Sequence, residues 1–183
     1  MMGKIRPPIP TRRGLAQVSG WLGIVLSGFL LAACQSGGKA NNNTALAQQG
    51  VEQALDTLHA AAARADEAAY FDLYTPDAVF LGTDATERWT LDEFKAYARP
   101  HFAAGRGWTY TVLARHVTIG PDGSTAWFDE RLQNAKLGEC RGSGVLVHGE
   151  GDRWRIAQYN LTIPIPNDLA EEVAGRIRSQ QGR

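Results

Sequence analysis

The chain has 183 residues, 19 Lys and Arg against 19 Asp and Glu, and 44 % hydrophobic residues. This balance excludes a nucleic-acid binder that works through a cationic face, and two cysteines exclude a disulfide framework. The length suits one folded domain with terminal segments.

Residues 1–20 hold Lys4, Arg6, Arg12 and Arg13 and no acidic residue, and residues 21–33, "WLGIVLSGFLLAA", carry no charge. A basic start, a short apolar run and small residues at its end read as a secretory signal. The run is shorter than the roughly 20 residues of a membrane span. Leu31-Ala32-Ala33-Cys34 resembles the lipobox of bacterial lipoproteins. That resemblance implies cleavage before Cys34, acylation of Cys34 with palmitate among the chains, and a periplasm-facing anchor in the cell envelope. Several acyl chains anchor durably where one is marginal. Gln35 in place of an aspartate leans towards the outer membrane. Thr11-Arg12-Arg13-Gly14-Leu15 also resembles a twin-arginine signal, so both export routes stay open. Processing would remove four basic residues and no acidic one, leaving a net charge of about −4. Membrane contact is then expected through the lipid anchor and not through attraction to anionic lipid.

The reading in chain order is a leader over 1–33, a polar tether over 34–44, a folded domain over 45–168 and a tail over 169–183. Val51, Leu55, Leu58 and Ala62 recur at helical spacing, which predicts a long amphipathic helix over 45–65. "DEAAYFDLY" predicts a short second helix stopped by Pro76, and "AVFLG" a short strand. Thr90 followed by Glu93 is a capping box, so a third helix starts at Leu91, and Pro100 with Gly105 and Gly107 is expected to end it. The pattern then turns to strands: "WTYTVLARHVTI", "STAWFDERLQN", "RGSGVLVHG" and "RWRIAQYNLTI", separated by the turns "GPDG" and "EGD" and the loop "AKLGE". Helices followed by an antiparallel meander make an α+β class. Asn167 is placed to cap a short C-terminal helix, with "RIRSQQGR" as a frayed tail.

Leu73-Tyr74-Thr75-Pro76-Asp77-Ala78-Val79-Phe80 and Trp154-Arg155-Ile156 resemble SnoaL-like domains of the nuclear transport factor 2 and ketosteroid isomerase superfamily, over about 48–163. The resemblance implies a cone: a curved antiparallel sheet wraps the first helix and leaves a pocket at its open end. It also implies a homodimer through the sheet, as in many members. The superfamily holds enzymes, subunits and binding proteins, so the fold by itself names no reaction. The tyrosine and aspartate that a ketosteroid isomerase needs fall near Leu58 and Gly82 and are absent, although Asp84 lies two residues beyond the second position. The resemblance leaves two readings: a protein that binds a small, partly apolar ligand or mediates association, or a cofactor-independent isomerase, cyclase, dehydratase or hydrolase.

In "AWFDERL", Ala126, Phe128, Glu130 and Leu132 alternate with Trp127, Asp129, Arg131 and Gln133, and either face can turn inward. Glu130 is the carboxylate with apolar companions. Burial would raise its pKa and make it an acid–base candidate with Asp84, unless it sits at a frayed or exposed part of the sheet or pairs with a nearby arginine. Trp154, Ile156, Gln158 and Asn160 share one face of the last strand, which offers Gln158 and Asn160 either as ligand contacts or as amides bonded to backbone. Glu87 and Trp89 fall near the mouth of the implied cone, and Trp89 suits either a ligand platform or a plug that docks the third helix. Arg141, beside Gly142 and Gly144, suits an anionic group, Glu130 or solvent. Cys140 reads as a small buried residue. The four histidines, 59, 101, 116 and 148, have no zinc-site spacing, and no phosphate loop is present, so no metal and no cofactor are expected.

Overall fold

Apolar residues one turn apart define the first element of the structure, a computed structural model that describes residues 35–181 apart from 150 and 152. The expected leader and the Cys34 lipidation position lie outside the described residues. Helix α1 (Gln35–Ala63) buries Val51, Leu55, Leu58 and Ala62, each no more than 2 % exposed. It begins inside the segment read as a tether. That stretch holds no proline, and adding residues to an existing helix costs far less than nucleating one.

Asp66 caps helix α2 (Glu67–Phe71) by accepting a hydrogen bond from the Ala69 amide at 3.1 Å. Strand β1 (Tyr74–Leu81) begins earlier than expected, and Pro76 and Asp77 lie inside it where its pairing register shifts. A proline has no N–H to give a ladder, so an irregularity is where a strand tolerates one. After β2 (Arg88–Thr90), helix α3 (Leu91–Ala103) starts on the capping box: Thr90 N–H donates to Glu93 Oε2 at 2.8 Å and Glu93 N–H to Thr90 Oγ1 at 3.4 Å. Pro100 does not end α3; the helix runs on to Ala103, and the expected Gly105 follows its end in a left-handed conformation (φ 66°). The last turn places Phe102, 5 % exposed, against Tyr70 and Trp108. Burying that ring offsets the hydrogen bond the proline removes.

Strands β3 (Thr111–Ile119), β4 (Thr125–Asn134), β5 (Gly138–Gly149) and β6 (Arg153–Thr162) form the expected antiparallel meander. The sheet order is β2-β1-β6-β5-β4-β3, and β1 runs parallel to β6, so the curved six-stranded sheet is mixed. Helix α1 lies against β3 and β6, and α3 against β1 and β2. Helix α4 (Ala170–Gln181) reaches through most of the segment read as a tail, with an ion pair from Arg176 to Glu172 at 2.7 Å.

After α1, Ala65 adopts a left-handed conformation (φ 55°) while Asp66 N–H donates to the Ala61 carbonyl at 2.9 Å. This is the terminator that glycine normally serves, because a Cβ there is strained. Ala65→Gly is expected to raise unfolding stability by about 0.5–1 kcal/mol, measured by urea denaturation. An unchanged or lower midpoint would refute the strain.

Candidate functional site

The β3–β4 hairpin positions the first pair of the site. Its turn closes with Gly120 N–H donating to the Thr125 carbonyl at 2.6 Å, and the register that follows sets Arg115 opposite Glu130. On β4, Ala126, Phe128, Glu130 and Leu132 are the buried face, while Trp127, Asp129, Arg131 and Gln133 are exposed. The inward face is therefore the one that carries Glu130, which is 0 % exposed.

Three donors surround the Glu130 carboxylate. His59 Nε2 lies 2.7 Å from Oε1, Arg115 Nε donates to Oε2 at 2.9 Å, and the Tyr159 hydroxyl donates to Oε1 at 3.2 Å. Arg115 is held in turn by Asp56 at 2.7 Å and by the Glu52 carbonyl at 3.3 Å. Burial pushes the Glu130 pKa up, but the hydrogen bond and charge of His59 and the charge and hydrogen bond of Arg115 outweigh it. The carboxyl lies below the usual glutamate value, which corrects the expectation of a raised one. Ionised, it can only accept, so His59 donates through Nε2–H and keeps Nδ1 as its second ring nitrogen.

Strand β5 lets this cluster close. Gly142 pairs with Glu130, and a Cβ at that position would run into the Tyr159 hydroxyl and the Glu130 side chain. The backbone must approach closely here, and only glycine permits it.

His59 and Tyr159 separate Glu130 from a cavity of about 290 Å³. Its walls are aromatic. Phe80 and Phe94 stack with centroids 3.8 Å apart, Phe80 and Tyr159 lie 5.8 Å apart and nearly parallel, and Trp89 stacks on Phe94 at 5.9 Å. Tyr70, Trp108 and Tyr110 extend the wall, and burial pushes the Tyr110 hydroxyl up to about 12. Thr83 and Glu87 from the β1–β2 connection, Asn134 at the end of β4 and Lys136 from the β4–β5 connection add polar groups.

Of the residues singled out in the sequence, Glu87 and Trp89 line the cavity. Leu58 and Gly82, the positions compared with ketosteroid isomerase, line it too. Glu130 lies behind the lining. Asp84 is exposed and accepts from the Thr86 amide at 2.8 Å and the Thr86 hydroxyl at 2.6 Å, which hold its carboxyl below the usual range. Arg141 is exposed opposite Arg131. Gln158 and Asn160 do not line the cavity. Leu146 pairs with Ile156 and Val145 with Gln158, so Ala157 is an extra residue in β6. This bulge reverses the alternation: Trp154 and Ile156 face inward before it, Tyr159 and Leu161 after it.

Sequence reasoning missed His59, Arg115 and Tyr159. His59 continues the Val51–Leu55 spacing by one turn, and Arg115 follows from counting back through the "GPDG" turn. Tyr159 had no signal, because a bulge is invisible to strict alternation. Cys140 is buried and free, as expected, with its thiol pushed up by burial. Among the described residues no group of three His, Cys, Asp or Glu side chains can hold a metal ion.

Because Glu130 has a lower pKa folded than unfolded, the unfolded chain binds its proton more readily. Stability from this cluster is present above the ordinary glutamate value of 4.5 and is lost as pH falls through the folded value. Glu130→Gln is expected to lower stability at neutral pH by about 2–3 kcal/mol. Its melting temperature should also fall less than the wild-type value on acidification below pH ~4.5. Parallel acid profiles would refute the buried carboxylate's contribution.

Residues 51–166 of this chain match the family of SnoaL-like domains. Among solved structures, an NTF2-like protein of unknown function from Pseudomonas putida aligns with TM-score 0.57 and 12 % identity, covering 68 % of this chain and 91 % of that one. A proposed scytalone dehydratase from Novosphingobium aromaticivorans aligns with TM-score 0.57 and 10 % identity, over 68 % and 89 %. A proposed dehydratase of the NTF2-like family from Streptomyces avermitilis aligns with TM-score 0.55 and 14 % identity, over 65 % and 96 %. At these identities the likeness is one of fold. No curated protein sequence matches the chain.

Proposed function

The chain belongs to the SnoaL-like domain family, and from that premise we propose a lipid-anchored envelope protein whose cavity binds a small, partly apolar molecule against His59. One observation carries the binding half: an aromatic cavity of about 290 Å³ has at its wall a histidine held by a fully buried glutamate. Flat aromatic walls supply area for a planar ligand, and a few placed polar groups orient it. Native mass spectrometry of the chain purified gently from its own host is expected to show a retained mass of a few hundred daltons, lost in Trp89→Ala. A clean apo mass for the wild type would overturn the binding reading.

The anchoring half rests on the basic, uncharged and lipobox segments ending at Cys34. The mature chain is expected in the detergent phase of a Triton X-114 separation, with Cys34→Ala moving it to the aqueous phase. A wild-type chain already in the aqueous phase would remove the anchor.

The His59–Glu130 pair favours a second reading, a cofactor-independent acid–base enzyme of the isomerase, cyclase, dehydratase or hydrolase kind. His59 Nδ1 would take a proton from the bound molecule, and the Glu130 carboxylate would stabilise the imidazolium. Glu130 is then a positioning group. Turnover of the identified molecule should fall about 100-fold or more in His59→Gln. Unchanged turnover would leave the binding reading alone.

A further inference from the structure

Resting on the binding reading above, we propose that the cavity selects aromatic molecules carrying a hydrogen-bond donor, a phenolic hydroxyl above all, over isosteric ethers and carbonyl compounds. The selection comes from the direction in which hydrogen bonds run at its inner wall. Glu130 Oε1 takes the proton of His59 Nε2 at 2.7 Å and that of the Tyr159 hydroxyl at 3.2 Å, and both of those residues line the cavity. With both protons committed inward, the groups left for a ligand when the imidazole is in its neutral form are its Nδ1 lone pair and the lone pairs of the Tyr159 oxygen. Each accepts and neither donates. Nδ1 has no hydrogen-bond partner among the described residues and is not one of their buried, unpartnered atoms.

A phenol satisfies this wall. Its proton sits between the ligand oxygen and Nδ1, whether written as phenol with imidazole or as phenolate with imidazolium, so the proton count is the same. A methyl ether or an aldehyde of the same shape brings an acceptor against acceptors and leaves them unpaired. Leaving buried polar groups unpaired costs more than the bond itself is worth.

The same geometry predicts an inversion. Arg115 Nε only donates, so in Glu130→Gln the amide oxygen must take the place of Oε2, 2.9 Å from Arg115. The amide NH2 then takes the place of Oε1. It donates one proton to His59 Nε2, which moves the ring proton to Nδ1, and the other to the Tyr159 oxygen, which frees that hydroxyl to point into the cavity. The wall becomes a donor.

The test is calorimetric titration of the full chain with 1-naphthol, 1-methoxynaphthalene and 1-naphthaldehyde. Wild type is expected to bind 1-naphthol about tenfold or more tightly than the other two, one hydrogen bond's worth. In Glu130→Gln, checked for folding by thermal melting, 1-naphthaldehyde is expected to overtake 1-naphthol. Tyr159→Phe removes one acceptor and should shrink the preference for 1-naphthol without reversing it. Should Glu130→Gln not fold, the wild-type order and Tyr159→Phe decide. Equal binding of all three by wild type, or tighter binding of the ether or aldehyde, overturns the donor selection and leaves the cavity reading standing. No binding of any of the three overturns the cavity reading itself.

Discussion

A carboxylate with no exposed surface stands where α1, β3, β4 and β6 meet, and most of the site follows from keeping Glu130 charged there. Moving an isolated carboxylate into a protein interior costs several kcal/mol or more. Here Arg115 supplies a countercharge, and His59 and Tyr159 supply two further donors. Burial by itself would push the carboxyl towards its neutral form, and these partners reverse that. The arrangement is strict. Removing one partner leaves a buried charge short of donors, so the cluster ties the register of the β3–β4 hairpin, the seating of α1 and the course of β6 to one another.

The sheet is shaped to let this happen. The β6 bulge at Ala157 exchanges the faces of every later residue on the strand, and so brings Tyr159 inward in place of Gln158. Across from Glu130, Gly142 leaves the space in which the Tyr159 hydroxyl meets the carboxylate. A bulge costs ladder pairing and a glycine costs chain entropy. Both costs are borne at the point where the buried charge needs its third donor.

The cavity puts these electrostatics to use. Aromatic walls keep the surroundings of His59 poor in water, where a hydrogen bond is stronger and an unmade one more costly than in bulk solvent. Glu130 does not touch the cavity, yet it dictates which way the bonds of both neighbouring polar groups run. A residue one layer back thus sets the chemistry of the wall, and its ionised state matters more than its own reach. The loops carrying Glu87 and Lys136 add charge of both signs to the lining.

Local chemistry was enough for much of the fold. Helical spacing in α1, the Thr90–Glu93 capping box and the turns of the meander are short-range patterns, and each forms as the residues dictate. Alternation along β4 also isolated Glu130 as the carboxylate among apolar neighbours. Three things were decided only in three dimensions. Pro100 stays within α3 because Phe102 beyond it is buried. The parallel pairing of β1 with β6 joins residues about eighty positions apart. The bulge at Ala157 moves Gln158 and Asn160 off the inner face, which alternation had assigned to them. The sequence by itself singled out Glu130 as the carboxylate with apolar companions, because period and polarity are local, while the packing of the sheet decided that its face turns inward. Only the tertiary structure decided what the charge means, because the pKa of Glu130 depends on His59, Arg115 and Tyr159, which reach it from other elements.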